Sequence, residues 1–446
     1  MKLTEMTHRL RKIGKIAASV TLFGFAGTVI AEDLNLLNDL TPEPTGSTGY
    51  LNIFADDNEP DPSGLSSPST NDDYRGLSTQ ITLGSGISLT GVTPVAGVRV
   101  AVYSRDSDNQ DGIDLYRFDG TGTSTLNLGG TNNIVGIVGY HFDNNGGGDT
   151  FGNYSGGDND AIDIINIANG NVTFNSLVNA DNININDGGT VSFFGDVQDP
   201  GSSTSISLFS NDVDLRIGND VTIDGSINKD VNDPNSTVTF IGRGEITGSV
   251  AASSGSSLAE LVVDGGNDFV RIGVNADIDH VNFQGDGSTL VIGADLNLQR
   301  NTSAGASNRI SFNDSDGVVE IGDDLTGIAE KAVVTTSVDG EGTVTFLGLG
   351  AGGAAGVFVT GDLGDATYSL RTINIGGAGT NADPLSLDTT DDSAADVSVN
   401  GDIFADSIVL QAGTGGTPSS SSLTIQANHN VTGAVSVEAV GIGTLS

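Results

Sequence analysis

Between Asn171 and Val197 the chain reads NVTFNSLVNADNININDGGTVSFFGDV. Val172 and Phe174, Ile183 and Ile185, and Val191 and Phe193 are apolar pairs two residues apart, separated by Thr173, Asn184 and Ser192. A period of two with a polar residue between is the pattern of a half-buried strand, and Asn, Asp and Gly between the pairs mark turns. The same unit recurs to the C-terminus. Earlier in the chain the pattern predicts strands at Gln80–Leu83, Val98–Tyr103, Ile113–Phe118 and Thr125–Leu128.

Three phrases repeat. One is Ile/Leu-Gly-x-x-apolar, at Leu83–Ile87, Ile217–Val221, Ile292–Leu296 and Ile321–Leu325. A second is apolar-x-Gly-x-apolar, at Ile223–Ile227, Ile246–Val250, Val359–Leu363, Val399–Ile403 and Val431–Val435. The third opens strands: TVSFFG at 190–195, TVTFIG at 237–242 and TVTFLG at 343–348. Glycine at a corner is expected to supply a positive-φ bend, with the flanking aliphatics pointing inward from two successive sides of a coil. One coil cannot bury its apolar side, but a stack of coils can. The irregular spacing between equivalent phrases favours an all-β, parallel β-helix (β-solenoid) over a propeller of fixed blades or a β-sandwich. At roughly 20–25 residues per coil and about 4.8 Å per coil, residues 78–446 would form on the order of 15 coils, a rod of roughly 70 Å.

The segments before residue 78 differ. Lys2, Arg9, Arg11, Lys12 and Lys15 precede an apolar run at Ile16–Ala26, and Val29-Ile30-Ala31 ends in a small residue. That order reads as a secretory signal peptide over residues 1–31, and the run is too short for a stop-transfer helix. Residues 32–77 carry Pro42, Pro44, Pro60 and Pro62 among Ser, Asp and Gly, the composition of a leader. Within it, Glu32–Leu40 is expected to make a short helical turn or two and Tyr50–Phe54 a small strand. This leader is placed to cap the open strand edges at the start of the solenoid. At the other end the chain stops at Ser446 just after a corner phrase, so that end is expected to be open.

Charge narrows the function. Of 57 acidic residues 47 are Asp, a turn-former, and the formal net charge is −40. Most of this charge is therefore expected at corners, with Asp bonding its own backbone. Beyond residue 31 the chain keeps 12 basic and 56 acidic residues, the wrong balance for nucleic acid or an anionic membrane surface. The absence of cysteine excludes disulfides, thiol catalysis and Cys-based metal sites.

Leu126–Gly139 (LNLGGTNNIVGIVG) and the Asn171–Val197 stretch resemble the passenger repeats of bacterial autotransporter surface antigens, in the style of the rickettsial outer-membrane-protein-B-type antigens. The likeness covers about 40 residues closely and the rest in composition and phrase. It implies a right-handed parallel β-helix on the cell surface that adheres to host or neighbouring cells or forms a protective layer. It carries over no catalytic residue. Such proteins end in a β-barrel translocator of amphipathic ~10-residue strands. Residues 78–446 hold no such segment, so a barrel is expected beyond Ser446, or the chain is truncated or exported otherwise.

Candidate chemistry is sparse. His141, His280 and His429 are far apart and without HExxH or HxH spacing, and are expected to be exposed loop residues rather than zinc ligands. A Ser–His–acid triad requires proximity, and serine is too frequent for spacing to nominate one. A glycosidase needs paired carboxylates, which 47 Asp always supply on paper. Gly146–Asn153, Gly156–Asp163 and Asp264–Val270 partly match the calcium-binding nonapeptide GGxGxDxUx but do not run in tandem. The reading is an exported, surface-displayed or secreted structural or adhesive protein with no catalytic, cofactor-binding or metal residue. The alternatives are a calcium-stabilised secreted repeat protein or a β-helical carbohydrate-active enzyme.

Overall fold

The computed structural model describes residues 162–437 with gaps, the longest at 299–307, 348–355, 377–394 and 412–420. It also describes strands and short pieces between Asp33 and Val138, and Thr444–Leu445. Residues 1–31, most of the leader, His141 and residues 146–161 lie outside the described residues. Every described element is a strand, and the fold is an all-β parallel β-solenoid. The chain divides into two compact units, Met1–Ser207 and Leu208–Ser446.

In the second unit, the strand Val213–Ile217 buries Val213, Leu215 and Ile217 and turns Asp214 and Arg216 outward. The chain then bends into Val221–Ile223, bends again into Gly225–Lys229, and returns one coil later as Thr237–Phe240. Each coil thus has three sides, and each side pairs in parallel with the same side of the next coil. Leu215, Val238, Leu261, Val281, Ile310 and Val334 form one register column, so successive coils consume 20 to 29 residues. Later coils are longer: Val359 pairs with Val399. On the next side Ile272, Ile292, Ile321, Phe346 and Ile375 stack in a second column. All are at most 1% exposed, and burying each such side chain contributes about 1.5–3 kcal/mol. Phe283 lies over Phe312 with ring centroids 4.8 Å apart.

The corners show why the glycine phrases recur. Gly273, Gly293 and Gly322 stack one above another, and a Cβ on Gly293 would lie 2.1 Å from the Gly273 carbonyl oxygen. None of these three has a positive φ; they are needed because the coil below approaches too closely for a side chain. The bend expected from sequence holds instead at Gly361 (φ 112°) and Gly433 (φ 147°). Corner carboxylates also depart from expectation, since many bond the next coil's backbone rather than their own. Asn275 Oδ1 accepts from the Asp295 N–H (3.3 Å), Asp295 Oδ1 from Asp324 (3.2 Å), and Asp324 Oδ1 from Phe358 (2.7 Å). Another corner repeats this, with Asp362 Oδ1 accepting from Asp402 N–H (2.7 Å) and Asp402 Oδ1 from Asn430 (2.8 Å). Asp365, whose Oδ1 accepts from Thr367 N–H at 2.6 Å, follows the local pattern.

The first unit holds the stretch with the plainest alternation. Val172–Phe174 pairs with Gly189–Phe193 so that Val172 meets Val191 and Phe174 meets Phe193, whose rings stack at 5.1 Å. Ile162–Ala168 and Val178–Ile185 make the neighbouring side, joined by Ser124–Gly129 and Thr79–Leu83. Of the segment Glu32–Leu40, where a helical turn is expected, only Asp33–Leu36 lies among the described residues, and it is extended. Asp33–Leu36 is a strand in parallel register with Thr79–Leu83, Leu34 opposite Ile81 and Leu36 opposite Leu83. Its two leucines alternate like those of a strand, and pairing supplies backbone hydrogen bonds that an isolated helical turn would have to nucleate alone. The small strand forms at Leu51–Ala55, in a separate three-stranded parallel sheet with Val100–Ser104 and Ile113–Asp114.

Corner clearance gives the first test. Gly293→Ala forces backbone against backbone and should cost about 2–4 kcal/mol, whereas Gly266→Ala, whose Cβ meets nothing nearer than 3.8 Å, should change stability by less than about 0.5 kcal/mol. Urea denaturation of the two variants measures the contrast.

Candidate functional site

Three outward side chains on one side of the second unit come together across successive coils. The strands Leu258–Val263, Ala276–Phe283 and Arg309–Phe312 pair so that Glu260, His280 and Arg309 share one column and Val262, Asn282 and Ser311 share another. The residues between them, Leu261, Val281 and Ile310, with Val263, Phe283 and Phe312, are wholly buried. Strand alternation then fixes the intervening side chains on the outer face.

His280 bridges its neighbours. Its Nδ1 lies 3.2 Å from Glu260 Oε1, and its Nε2 lies 3.0 Å from Ser311 Oγ. With the proton on Nδ1, the ring donates to the carboxylate and accepts from the serine hydroxyl. Asn282 Nδ2 donates to the same Glu260 oxygen (2.9 Å), and Asn313 Nδ2 donates to Asn282 Oδ1 (2.7 Å). Arg309 Nε donates to Ser311 Oγ at 3.1 Å, and Thr335 Oγ1 lies 3.5 Å from that hydroxyl. The Glu260 carboxyl is held below its ordinary pKa, chiefly by the hydrogen bond from His280, with Asn282 and the imidazole charge assisting and burial opposing. Ser311 is 3% exposed, while the His280 and Glu260 side chains are 18% and 32% exposed.

His280 is therefore a strand residue in a polar network, not the exposed loop histidine expected from sequence. His429 is also engaged: its Nδ1 lies 3.4 Å from Asp402 Oδ1 and its Nε2 3.1 Å from Asn400 Oδ1. The backbone N–H of Asn430 is the largest cause of the lowered Asp402 pKa, with burial opposing and the Asn430 and His429 side chains assisting. There Nε2 meets an amide oxygen rather than a hydroxyl. Of the calcium-like segments, Asp264–Val270 is partly described: Asp264 and Gly265 belong to a corner, where the Gly265 carbonyl accepts from Ser288 Oγ, and Phe269 opens the next strand. Among the described residues no three His, Asp or Glu side chains are placed to hold a metal ion.

Sequence spacing misses the Glu260–His280–Ser311 array because the coils differ in length. The signal is present in the tetrapeptides themselves: ELVV, HVNF and RISF align when their apolar residues are superposed. Comparisons with family models, curated proteins and solved structures return no match.

Two carboxylates respond to acid in opposite senses. Glu260, with its folded pKa lowered, stabilises the fold at neutral pH, and this is lost as pH falls below the unfolded value and through the folded one. Glu260→Gln should remove that part of the acid sensitivity. Asp323 is raised by burial and by the charges of Asp324 and Asp295, so its ionisation costs stability once pH exceeds its unfolded pKa. Asp323→Asn should raise the melting temperature at pH 7 and leave it unchanged at pH 3.

Proposed function

We propose that this chain is an exported structural or adhesive protein, surface-displayed or secreted, that works through its lateral faces in the manner of an autotransporter passenger. The observation that supports this best is the bonding of outward polar side chains from one coil to the next. Asn184 Nδ2 donates to Asn166 Oδ1 (3.1 Å), Thr247 Oγ1 to Asp224 Oδ1 (2.8 Å), and Ser422 Oγ to Asp396 Oδ1 (2.6 Å), each across one coil. Outward polar side chains tied down in this way give lateral faces of ordered donors and acceptors, which suit repeated weak contacts with a surface. The basic and apolar start of the chain and the lack of cysteine suit export. The partners are surface molecules of host or neighbouring cells; net charge disfavours nucleic acid. No helix among the described residues is long and apolar enough to cross a membrane.

Protease treatment of intact cells tests display directly. A surface-displayed chain is cut while a cytoplasmic marker survives, a secreted one is recovered from the medium, and full protection inside the cell would refute both. The stacked apolar columns also make the fold self-sufficient. Circular dichroism should show the same cooperative β-rich melt in EDTA as in millimolar calcium; a chain that folds only with calcium would favour the calcium-stabilised alternative.

A further inference from the structure

The array at His280 holds more than an outer column needs. A column of Asn or Thr is satisfied by one bond to the next coil, yet here a carboxylate, an imidazole and a hydroxyl are joined in series, and a guanidinium meets the same hydroxyl. We propose that Ser311, His280 and Arg309, with Glu260 as positioning residue, form a hydrolytic site for small acyl esters of hydroxyl-rich compounds, acetylated glycans being the fitting class.

Geometry carries the argument. Ser311 Oγ lies 3.0 Å from His280 Nε2, within reach for proton transfer, and with the ring proton on Nδ1 Glu260 accepts from that nitrogen at 3.2 Å. That bond fixes the tautomer and favours the imidazolium that forms when Ser311 is deprotonated. Arg309 Nε stands 3.1 Å from the nucleophile, where its N–H can redirect its hydrogen bond to the oxygen of an attacked carbonyl while keeping its proton. All four residues lie on paired strands whose inward neighbours are wholly buried, so the constellation is held by the core.

The chemistry closes without a cofactor. Ser311 Oγ bonds to the acyl carbon as its proton passes to His280 Nε2, and the carbonyl electrons move onto the oxygen beside Arg309. Collapse expels the alcohol oxygen, which takes the proton from Nε2 and leaves an acyl-serine. Water then attacks that carbon and gives its proton to Nε2, and expulsion of Ser311 Oγ, reprotonated from Nε2, releases the carboxylic acid. The net reaction is ester plus water to acid plus alcohol.

The surroundings set the substrate class. Ser311 is only 3% exposed and lies beside the exposed Arg309, so the acyl group that reaches it is short. The rim is polar: Asn282, the exposed Asn313 and the half-buried Thr335 offer amides and a hydroxyl, which suit an alcohol rich in hydroxyls rather than a lipid.

The test uses the full chain with p-nitrophenyl acetate, p-nitrophenyl octanoate and a fluorophosphonate probe mapped by mass spectrometry. Acetate should be hydrolysed and octanoate not, with phosphonylation at Ser311. Ser311→Ala and His280→Gln should lower acetate turnover at least about 100-fold while leaving the circular dichroism melt intact. Glu260→Gln should lower kcat and shift the pH–rate profile, and Glu260→Asp should restore part of both, which a packing role alone would not do. Turnover equal in Ser311→Ala and parent, or a probe that labels no residue or a different one, overturns the site. Equal rates on octanoate overturn the small-acyl assignment. Should Ser311→Ala fail to fold, probe labelling of the parent decides alone.

Discussion

Everything in this fold depends on the parallel hydrogen bonding that holds one coil about 4.8 Å above the next. At that spacing, each position sees chiefly the residue one coil away in its own column. A column must therefore be uniform in what it requires. Inward columns take Ile, Leu, Val and Phe because a polar group there would have no partner. Corner columns take glycine wherever the carbonyl below comes too close, as at Gly273, Gly293 and Gly322. A Cβ at one such corner presses on the backbone of the coil beneath, and that backbone is held by its own ladder on three sides.

The same spacing explains the acidity. A corner exposes a backbone N–H that no strand pairs, and the residue below can accept from it through a short side chain. Aspartate and asparagine have the right reach, so the column Asn275, Asp295, Asp324 carries one acceptor per coil. Stacking carboxylates this closely costs repulsion, and the balance differs from site to site. Asp339 receives both the N–H and the hydroxyl of Ser369, and its pKa falls. Asp323 lies beside Asp324 and Asp295 and is partly buried, and its pKa rises. At these corners the negative charge is thus a by-product of satisfying backbone N–H groups, carried along the edges between the faces.

Period-two pairs made the strands legible from sequence, because an apolar residue two positions from another has few other homes once Asn, Asp and Gly bracket it. The repeated phrases made the solenoid legible for the same reason. What sequence could not supply was register. The 20 residues from Val281 back to Leu261 and the 29 forward to Ile310 look alike as spacing, yet only the columns tell which outward residues meet. Hence His280 reads as a loop residue although the period-two pair Val281 and Phe283 directly after it marks a strand. Asp33–Leu36 was misread for a related reason, since nothing local says that Thr79–Leu83 will pair with it.

Variable coil length is also what lets such a scaffold carry a site. Were every coil the same length and composition, each column would repeat one residue type and each face would be a single polar ladder. Here, coils of 20 and 29 residues bring Glu260, His280 and Arg309 into one column although they share no ancestry of spacing. The core tolerates this because only the inward positions on either side are constrained; the outward residue between them is free to vary. Chemistry on a solenoid is then chosen one residue per coil, and the strands below supply the rigidity that a loop-built site must obtain from supporting contacts.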